Sequence, residues 1–159
     1  MPEDLARKPK RPLPTVGWRE WIALPELGIS AIKAKVDTGA RSSALHTRYV
    51  EPYEDSGVSM VHFALRPHAG WPDHNVECHA ELFDQREVRD SSGNPELRYF
   101  IRTPVKVGDH LWTVELSLTN RSSMKFRMLL GREAVRRRAL VNPGRSFLTR
   151  KPPKRLTDH

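Results

Sequence analysis

The chain has a single cysteine, Cys78, among its 159 residues. One cysteine cannot build a disulfide framework, which excludes the small secreted proteins that depend on one. No apolar run approaches the roughly 18 residues of a membrane helix, and the opening MPEDLARKPKRPLP lacks the apolar segment of a signal peptide. The sequence therefore predicts a soluble cytoplasmic protein without a membrane partner.

Metal- and nucleotide-binding motifs are also missing. The sequence contains no H-E-x-x-H, no C-x-x-C and no glycine-rich phosphate loop. The densest group of metal-ligating residue types is HNVECH, but Cys78 and His79 would point to opposite faces of a strand. A metal site assembled across the fold from His46, His62 or His68 is an alternative. The sequence predicts no metal and no cofactor.

The net charge of +8 is concentrated at the two ends of the chain. Residues 1–12 hold four Lys and Arg against two acids, and residues 132–159 hold nine against two. We expect basic flexible tails at 1–14 and 151–159 around one domain at 15–150. No RNA-binding aromatic pattern or zinc-finger spacing accompanies this charge, so nucleic acid is not the expected partner.

Most of the chain alternates apolar and polar residues, the pattern of strands with one buried face. Residues 18–36 predict a hairpin that turns at PELG, and VSMVHFAL and VECHAELF predict two more strands. A second hairpin, LRYFIRTPVKV and HLWTVELSLT, turns at Gly108-Asp109, and FRMLL predicts a short buried strand. Short helices are expected near ARSSAL and in GREAVRRRAL. The fold class is mainly β with one or two short helices.

The stretch IKAKVDTGARSSALH, residues 32–46, carries the strongest chemical signal. Gly39 permits a sharp turn and close backbone approach, and the Thr38 hydroxyl can hydrogen-bond to a partner loop. Asp37 would then be a carboxylate held at the floor of a cleft. A second carboxylate about 3 Å away would share one proton with it, and such a pair can activate water and protonate a leaving amine. The alternative is that Asp37 only caps the turn that follows it.

Further along, FRMLLGREAV places two apolar residues before Gly131 and a predicted helix. The order of hairpin, Asp37-Thr38-Gly39-Ala40, intervening strands and Leu130-Gly131 is similar to aspartic proteases of the retroviral type. Together with VGWREWIALPELGI, ELRYFIRTPV, WTVELSLTNRSS and RSFLTR, these motifs resemble the bacterial retropepsin-like family often labelled "ATP-dependent zinc protease". The resemblance covers about residues 15–150.

This resemblance implies a closed, single-lobed β-barrel of the acid-protease type and an aspartic endopeptidase. One lobe supplies one aspartate, so the resemblance implies a homodimer related by a two-fold axis through the Asp37 loops. The family often occurs with ATP-grasp ligases that add glutamate to proteins, which implies an acidic or glutamylated peptide or protein substrate. Asp37 would be catalytic, and the supporting loop residues would be Thr38, Gly39, Ala40, Arg41, Leu130, Gly131 and Arg132.

Three features depart from the retroviral pattern. Arg41 directly follows the Asp37 loop, and a cation close to Asp37 would lower the pKa of that carboxyl group. The runner-up hypothesis is therefore a non-catalytic binding module in which Asp37 and Arg41 form an ion pair, and the cleft or the basic tails recognise an acidic peptide or protein. The alternatives for Arg41 are that it points outward or that it binds an acidic substrate group such as a glutamyl tail. Asp55-Ser56-Gly57 repeats the motif but follows no apolar strand, so we interpret it as a turn. Extra chain at 51–96 offers two candidate flap tips, RPHAGWPDHN and DQREVRDSSGNPE.

Overall fold

The computed structural model describes residues 12–68, 70, 74–89, 92–120 and 126–153. Most of both predicted tails, and part of each candidate flap tip, lie outside this range. The described chain is mainly β, as predicted, and its helices are one 3-10 turn at Pro25–Leu27 and the four-residue α1 at Arg132–Val135. No described helix has the length and apolarity that a membrane crossing would require. The strands are β1 Thr15–Gly17, β2 Arg19–Leu24, β3 Ile29–Asp37, β4 Ser43–His46, β5 Tyr49–Asp55, β6 Val58–Leu65, β7 Val76–Glu81, β8 Asp84–Arg89, β9 Pro95–Val107, β10 His110–Thr119, β11 Met128–Gly131 and β12 Leu140–Asn142.

Six strands close into a barrel in the order β10-β4-β11-β3-β2-β9, and the antiparallel pairing of β9 with β10 completes the ring. The first predicted hairpin is confirmed as β2 and β3, with Gly28 in the left-handed conformation after the 3-10 turn. The second is confirmed as β9 and β10. Because each strand contributes alternate residues to the interior, the barrel encloses one apolar core.

Two smaller sheets accompany the barrel. Strands β5, β6 and β7 form an antiparallel sheet whose inner residues, such as Phe63 and Cys78, are buried in the core. The turn between β5 and β6 is Asp55-Ser56-Gly57, and both Ser56 and Gly57 have positive φ. The interpretation of this second D-S-G as a turn is confirmed. The other sheet pairs β1 with β12 in parallel.

The predicted helix near ARSSAL is wrong, because Ser43–His46 is strand β4. This strand pairs in parallel with β10 and antiparallel with β11. Ser43 and Leu45 are buried while Ala44 and His46 are less so, which is the alternation of a strand. The helix predicted in GREAVRRRAL is present but occupies only its first turn as α1.

Candidate active site

Asp37 is the last residue of β3, at the point where the chain leaves the strand and enters a turn. Strand β11 runs parallel to β3 beside it, so that Gly131 lies opposite Asp37 and Leu130 opposite Val36. The Asp37 Oδ1 atom accepts a hydrogen bond from the Gly39 N–H at 3.0 Å, and the Ala40 N–H donates to the Asp37 carbonyl at 3.2 Å. The carboxylate is half-buried and the following Thr38 and Gly39 are exposed. The turn therefore presents Asp37 at the surface in a fixed orientation.

Gly131 holds this turn in place because it has no side chain. A Cβ atom at this position would overlap the Ser42 carbonyl group and lie 3.0 Å from the Ala40 carbonyl oxygen. The buried Gly131 N–H donates to Ser43 Oγ at 2.9 Å. Glycine thus allows the loop after Asp37 to pack directly on the β11 backbone. Sequence reasoning predicted Gly131 but missed Ser43, whose signal was a serine on the buried side of an alternating S-A-L-H segment.

The start of α1 fastens the same loop from the other side. The Arg132 N–H donates to the Ala40 carbonyl at 2.7 Å, and the Glu133 N–H donates to the Arg41 carbonyl at 3.0 Å. The Arg132 side chain adds a bond from Nη1 to the Thr38 carbonyl at 3.1 Å. These bonds join two segments more than 90 residues apart in the chain, so the Asp37 loop is restrained along its length.

Arg41 does not form the ion pair with Asp37 that the binding-module hypothesis requires. Its Nε atom lies 3.1 Å from Glu133 Oε2, and both side chains are largely exposed, at 77% and 52%. The direction of Arg41 is set by the backbone bond between Glu133 and Arg41, which places the two side chains together at the start of α1. Among the described residues, the side-chain hydrogen bond of the Asp37 carboxylate is the one from the Gly39 N–H.

Beside this loop lies a groove of about 570 Å³ that the sequence analysis did not predict. It runs between α1, the strands β9 and β10, and β8, and Asp37 itself does not line it. Its charged lining residues are Arg41, Arg86, Arg102, Arg138, Glu115 and Glu133. Four guanidinium groups face two carboxylates, so the groove carries a net positive charge that favours anionic ligands.

The arginines of the groove differ in how strongly they are already engaged. Arg86 lies 2.6 Å from Asp84 and 3.2 Å from Glu115, and its hydrogen bond to Asp84 holds the pKa of that carboxyl group below its ordinary value. Arg138 donates to the Thr113 carbonyl at 3.2 Å. Arg102 stacks over the Phe83 ring at 4.8 Å. A carbonyl or an aromatic ring does not neutralise a guanidinium, so these last two remain available to an anion.

Strand β8 and the first half of β9 form a hairpin that flanks the groove. Val88 on β8 lines both the main groove and an adjoining cavity of about 330 Å³, which also includes Arg41, Arg89 and Arg98. The candidate flap tip DQREVRDSSGNPE belongs to this hairpin. Of the other candidate tip, RPHAGWPDHN, the described His68 packs against Trp21 of β2, with ring centroids 5.5 Å apart and the rings tilted by 33°.

The histidines and the cysteine do not assemble into a metal site in the part of the chain that the structure describes. Cys78 is buried and His79 is exposed, on opposite faces of β7. His62 on β6 is bracketed by two carboxylates, at 2.9 Å from Glu77 and 3.3 Å from Glu51. The Glu77 hydrogen bond is the main reason that the pKa of His62 is raised. Each ring nitrogen of His62 is thus already engaged by a carboxylate, which disfavours metal binding at this ring.

Comparison with known proteins agrees with this architecture. The crystal structure of a Legionella pneumophila protein of unknown function matches with a TM-score of 0.72 and 25% identity, over 86% of this chain and 98% of that one. A "Probable alpha-L-glutamate ligase" of Shewanella halifaxensis is 44% identical over 132 residues, which is 83% of this chain. Another, from Desulfotalea psychrophila, is 41% identical over 143 residues.

The chain spans less than a third of the length of these ligase-named relatives, at 29% and 30%. A family model described as "Retropepsin-like aspartic endopeptidase RimB" matches residues 15–152. That range includes the Asp37 turn, Gly131 and the whole groove. The family assignment expected from the motifs is therefore confirmed: this chain belongs to the RimB-like family of retropepsin-like proteins.

Proposed function

We propose that this chain is an aspartic peptidase of the retropepsin type that hydrolyses peptide bonds with Asp37. The observation that carries the proposal is the restrained turn, in which the Asp37 carboxylate accepts the Gly39 N–H while its loop packs on Gly131. Such restraint is useful to a catalytic carboxylate because a small error in placement lowers the rate steeply. A turn that served only as a connection would not require it.

The second carboxylate of the proposed site is Asp37 of another copy of this chain, related by a two-fold axis. Two carboxylates about 3 Å apart cannot both ionise and hold one proton between them. The ionised member takes a proton from water, whose oxygen attacks the peptide carbonyl carbon. The protonated member gives its proton to the leaving nitrogen as the C–N bond breaks. Arg41 is paired with Glu133 and not with Asp37, so its positive charge is partly compensated by Glu133.

The proposed substrate is an acidic or glutamylated peptide or protein. The net positive groove next to the Asp37 loop supports this choice, because guanidinium groups bind carboxylates in well-defined geometries. The names of the relatives give independent support, since a glutamate ligase would produce chains with additional carboxylates. A functional link to such a ligase, of the ATP-grasp type, is part of the proposal.

A second candidate is a non-catalytic module that binds acidic peptides in the same groove. The groove favours it, because its lining supplies recognition without Asp37. The original form of this hypothesis, an ion pair between Asp37 and Arg41, is not retained, since Arg41 pairs with Glu133.

The test is cleavage of a peptide with an oligo-glutamate segment, followed by mass spectrometry, for wild type, Asp37→Asn and Asp55→Asn. Asp55→Asn is a matched control because it makes the same change in the other Asp-Ser/Thr-Gly turn, which joins β5 to β6. We expect wild type and Asp55→Asn to cleave and Asp37→Asn to lose at least about a thousandfold in rate. Equal cleavage by Asp37→Asn contradicts the peptidase. Binding of the peptide without cleavage by any protein favours the binding module.

A further inference from the structure

The ion pair between Arg41 and Glu133, hereafter the latch, has the properties of a contact in which another carboxylate can replace Glu133. Its two side chains are among the exposed charges that line the groove, and only one distance, 3.1 Å from Nε to Oε2, joins them. An exposed pair of this kind contributes about 1 kcal/mol or less, so another carboxylate can replace one member at little cost. The backbones of the two residues are held together, because the Glu133 N–H donates to the Arg41 carbonyl.

The position of Arg41 makes this contact relevant to a ligand. Arg41 lines both the main groove and the adjoining cavity, and it lies four residues after Asp37 in the chain. A carboxylate binds a guanidinium best through two parallel N–H···O bonds, for which the Nε edge is one of the suitable sides. Glu133 occupies the Nε atom in the structure.

We propose that Glu133 is a built-in competitor for Arg41, and that a carboxylate of an acidic peptide displaces it when the peptide enters the groove. This inference rests on the proposed acidic substrate and adds a specificity-determining pair to the same site. Glu133 sets the threshold: a neutral peptide leaves the latch closed, while an acidic one exchanges a carboxylate for a carboxylate. Because Arg41 directly follows the loop that carries Asp37, an acidic peptide that binds Arg41 also contacts that part of the chain.

Equilibrium binding isolates this step from catalysis. The full chain with Asp37→Asn would be titrated against a fluorescent octaglutamate peptide at low ionic strength, with a neutral glutamine-serine octapeptide as the reference ligand. Glu133→Gln should strengthen octaglutamate binding roughly two- to fivefold, since it removes a competitor worth about that factor. Arg41→Gln should weaken octaglutamate binding, and neither change should affect the neutral peptide.

A double-mutant cycle separates the latch from a general effect of charge. On an Arg41→Gln background, Glu133→Gln should have no more than a small effect, because its competitor role requires Arg41. Glu26→Gln is the matched control, since Glu26 is exposed in the 3-10 turn and is not among the residues that line the groove. The inference is overturned if the gain from Glu133→Gln persists without Arg41, if Glu26→Gln gives an equal gain, or if no variant binds octaglutamate.

The outcome is distinguishable from failure of the peptidase. Octaglutamate binding that follows the cycle, together with wild-type protein that cleaves nothing, would support the latch and remove the peptidase. Cleavage of neutral and acidic peptides at equal rates, with no response to Glu133→Gln in either binding or cleavage, would overturn the latch and leave the peptidase in place.

Discussion

At the scale of single residues, Gly131 is a position where the fold tolerates little change. Its missing Cβ leaves the space in which the Ser42 and Ala40 carbonyl groups lie. Because those neighbours are backbone atoms, they can move only if the Asp37 loop moves with them. We expect Gly131→Ala to lower the free energy of unfolding by roughly 1–3 kcal/mol, the usual cost of overpacking. Urea denaturation followed by tryptophan fluorescence would measure it.

Gly144→Ala provides the control for that experiment. A Cβ atom at Gly144 would be 3.5 Å from Asn142 Oδ1, which is an ordinary contact. Its effect on the free energy of unfolding should therefore stay within about 0.5 kcal/mol. Equal losses for the two variants would contradict the assignment of the Gly131→Ala cost to overlap with the Ser42 and Ala40 carbonyl groups.

At this scale, the role of a residue could be predicted from the sequence only where it depends on neighbours in the chain. Asp37 and Gly131 were predictable because turn chemistry and an apolar-apolar-Gly element are local patterns. The partner of Arg41 was not, because Glu133 lies 92 positions away and reaches it only after β11 has packed beside β3. The same limit hid Arg86, Arg102 and Arg138, which meet in the groove from three separate elements.

At the scale of elements, Glu20 on β2 explains why RSFLTR stays against the barrel. Glu20 is fully buried, and its carboxylate accepts bonds from the Gly17 and Leu148 N–H groups at 2.6 and 2.9 Å. It also accepts from both the N–H and the hydroxyl of Thr149, at 3.1 and 2.7 Å. A buried charge is tolerated only with such full hydrogen bonding. One carboxylate thus connects β1, β2 and the segment after β12.

We expect Glu20→Gln to destabilise the protein by about 2–3 kcal/mol, because an amide nitrogen replaces an acceptor and faces donors that then lack a partner. Thermal unfolding by circular dichroism would show the loss as a lower Tm. Glu26→Gln, at an exposed position in the 3-10 turn, makes the same chemical change and should alter the stability by no more than about 0.5 kcal/mol. A loss at Glu20 no larger than that at Glu26 would show that the hydrogen bonds to the Glu20 carboxylate contribute nothing to stability.

Strand β4 shows how element type can escape a local pattern. The segment ARSSAL has no strong strand formers, and its small residues suited a short helix equally well. The tertiary structure decides, because β4 fills the place between β10 and β11 and without it the barrel would not close. The longer hairpins needed no such help, since their alternation ran for six residues or more.

At the scale of the whole molecule, the proposed dyad makes a prediction about mixtures. If each site uses Asp37 from two copies, excess Asp37→Asn protein should capture wild-type chains in inactive pairs. At a fixed wild-type concentration above the dimer dissociation constant, activity should fall to about half with an equal amount and about a tenth with a ninefold excess. Peptide cleavage and light scattering on the same samples would measure activity and mass.

The same excess of Asp55→Asn protein should raise the total activity, since that variant keeps both copies of Asp37. Activity that does not respond to added Asp37→Asn, in samples that remain monomeric by light scattering, would exclude the shared site. The proposed peptidase would then lack its second carboxylate, and the groove would remain as the functional surface.

Closure of the barrel has a last consequence, for the behaviour of the protein in concentrated solution. Open strand edges are the usual starting points of aggregation, and β9 with β10 removes the two that an unclosed barrel would have. Of the edge strands that remain, β5 carries Pro52 with the acidic residues Glu51 and Glu54 near it. Strand β8 carries Arg86, Glu87 and Arg89. Proline donates no hydrogen bond to an added strand, and charged side chains disfavour burial of an edge strand against a second copy. At these edges the backbone is guarded against fibril-like stacking.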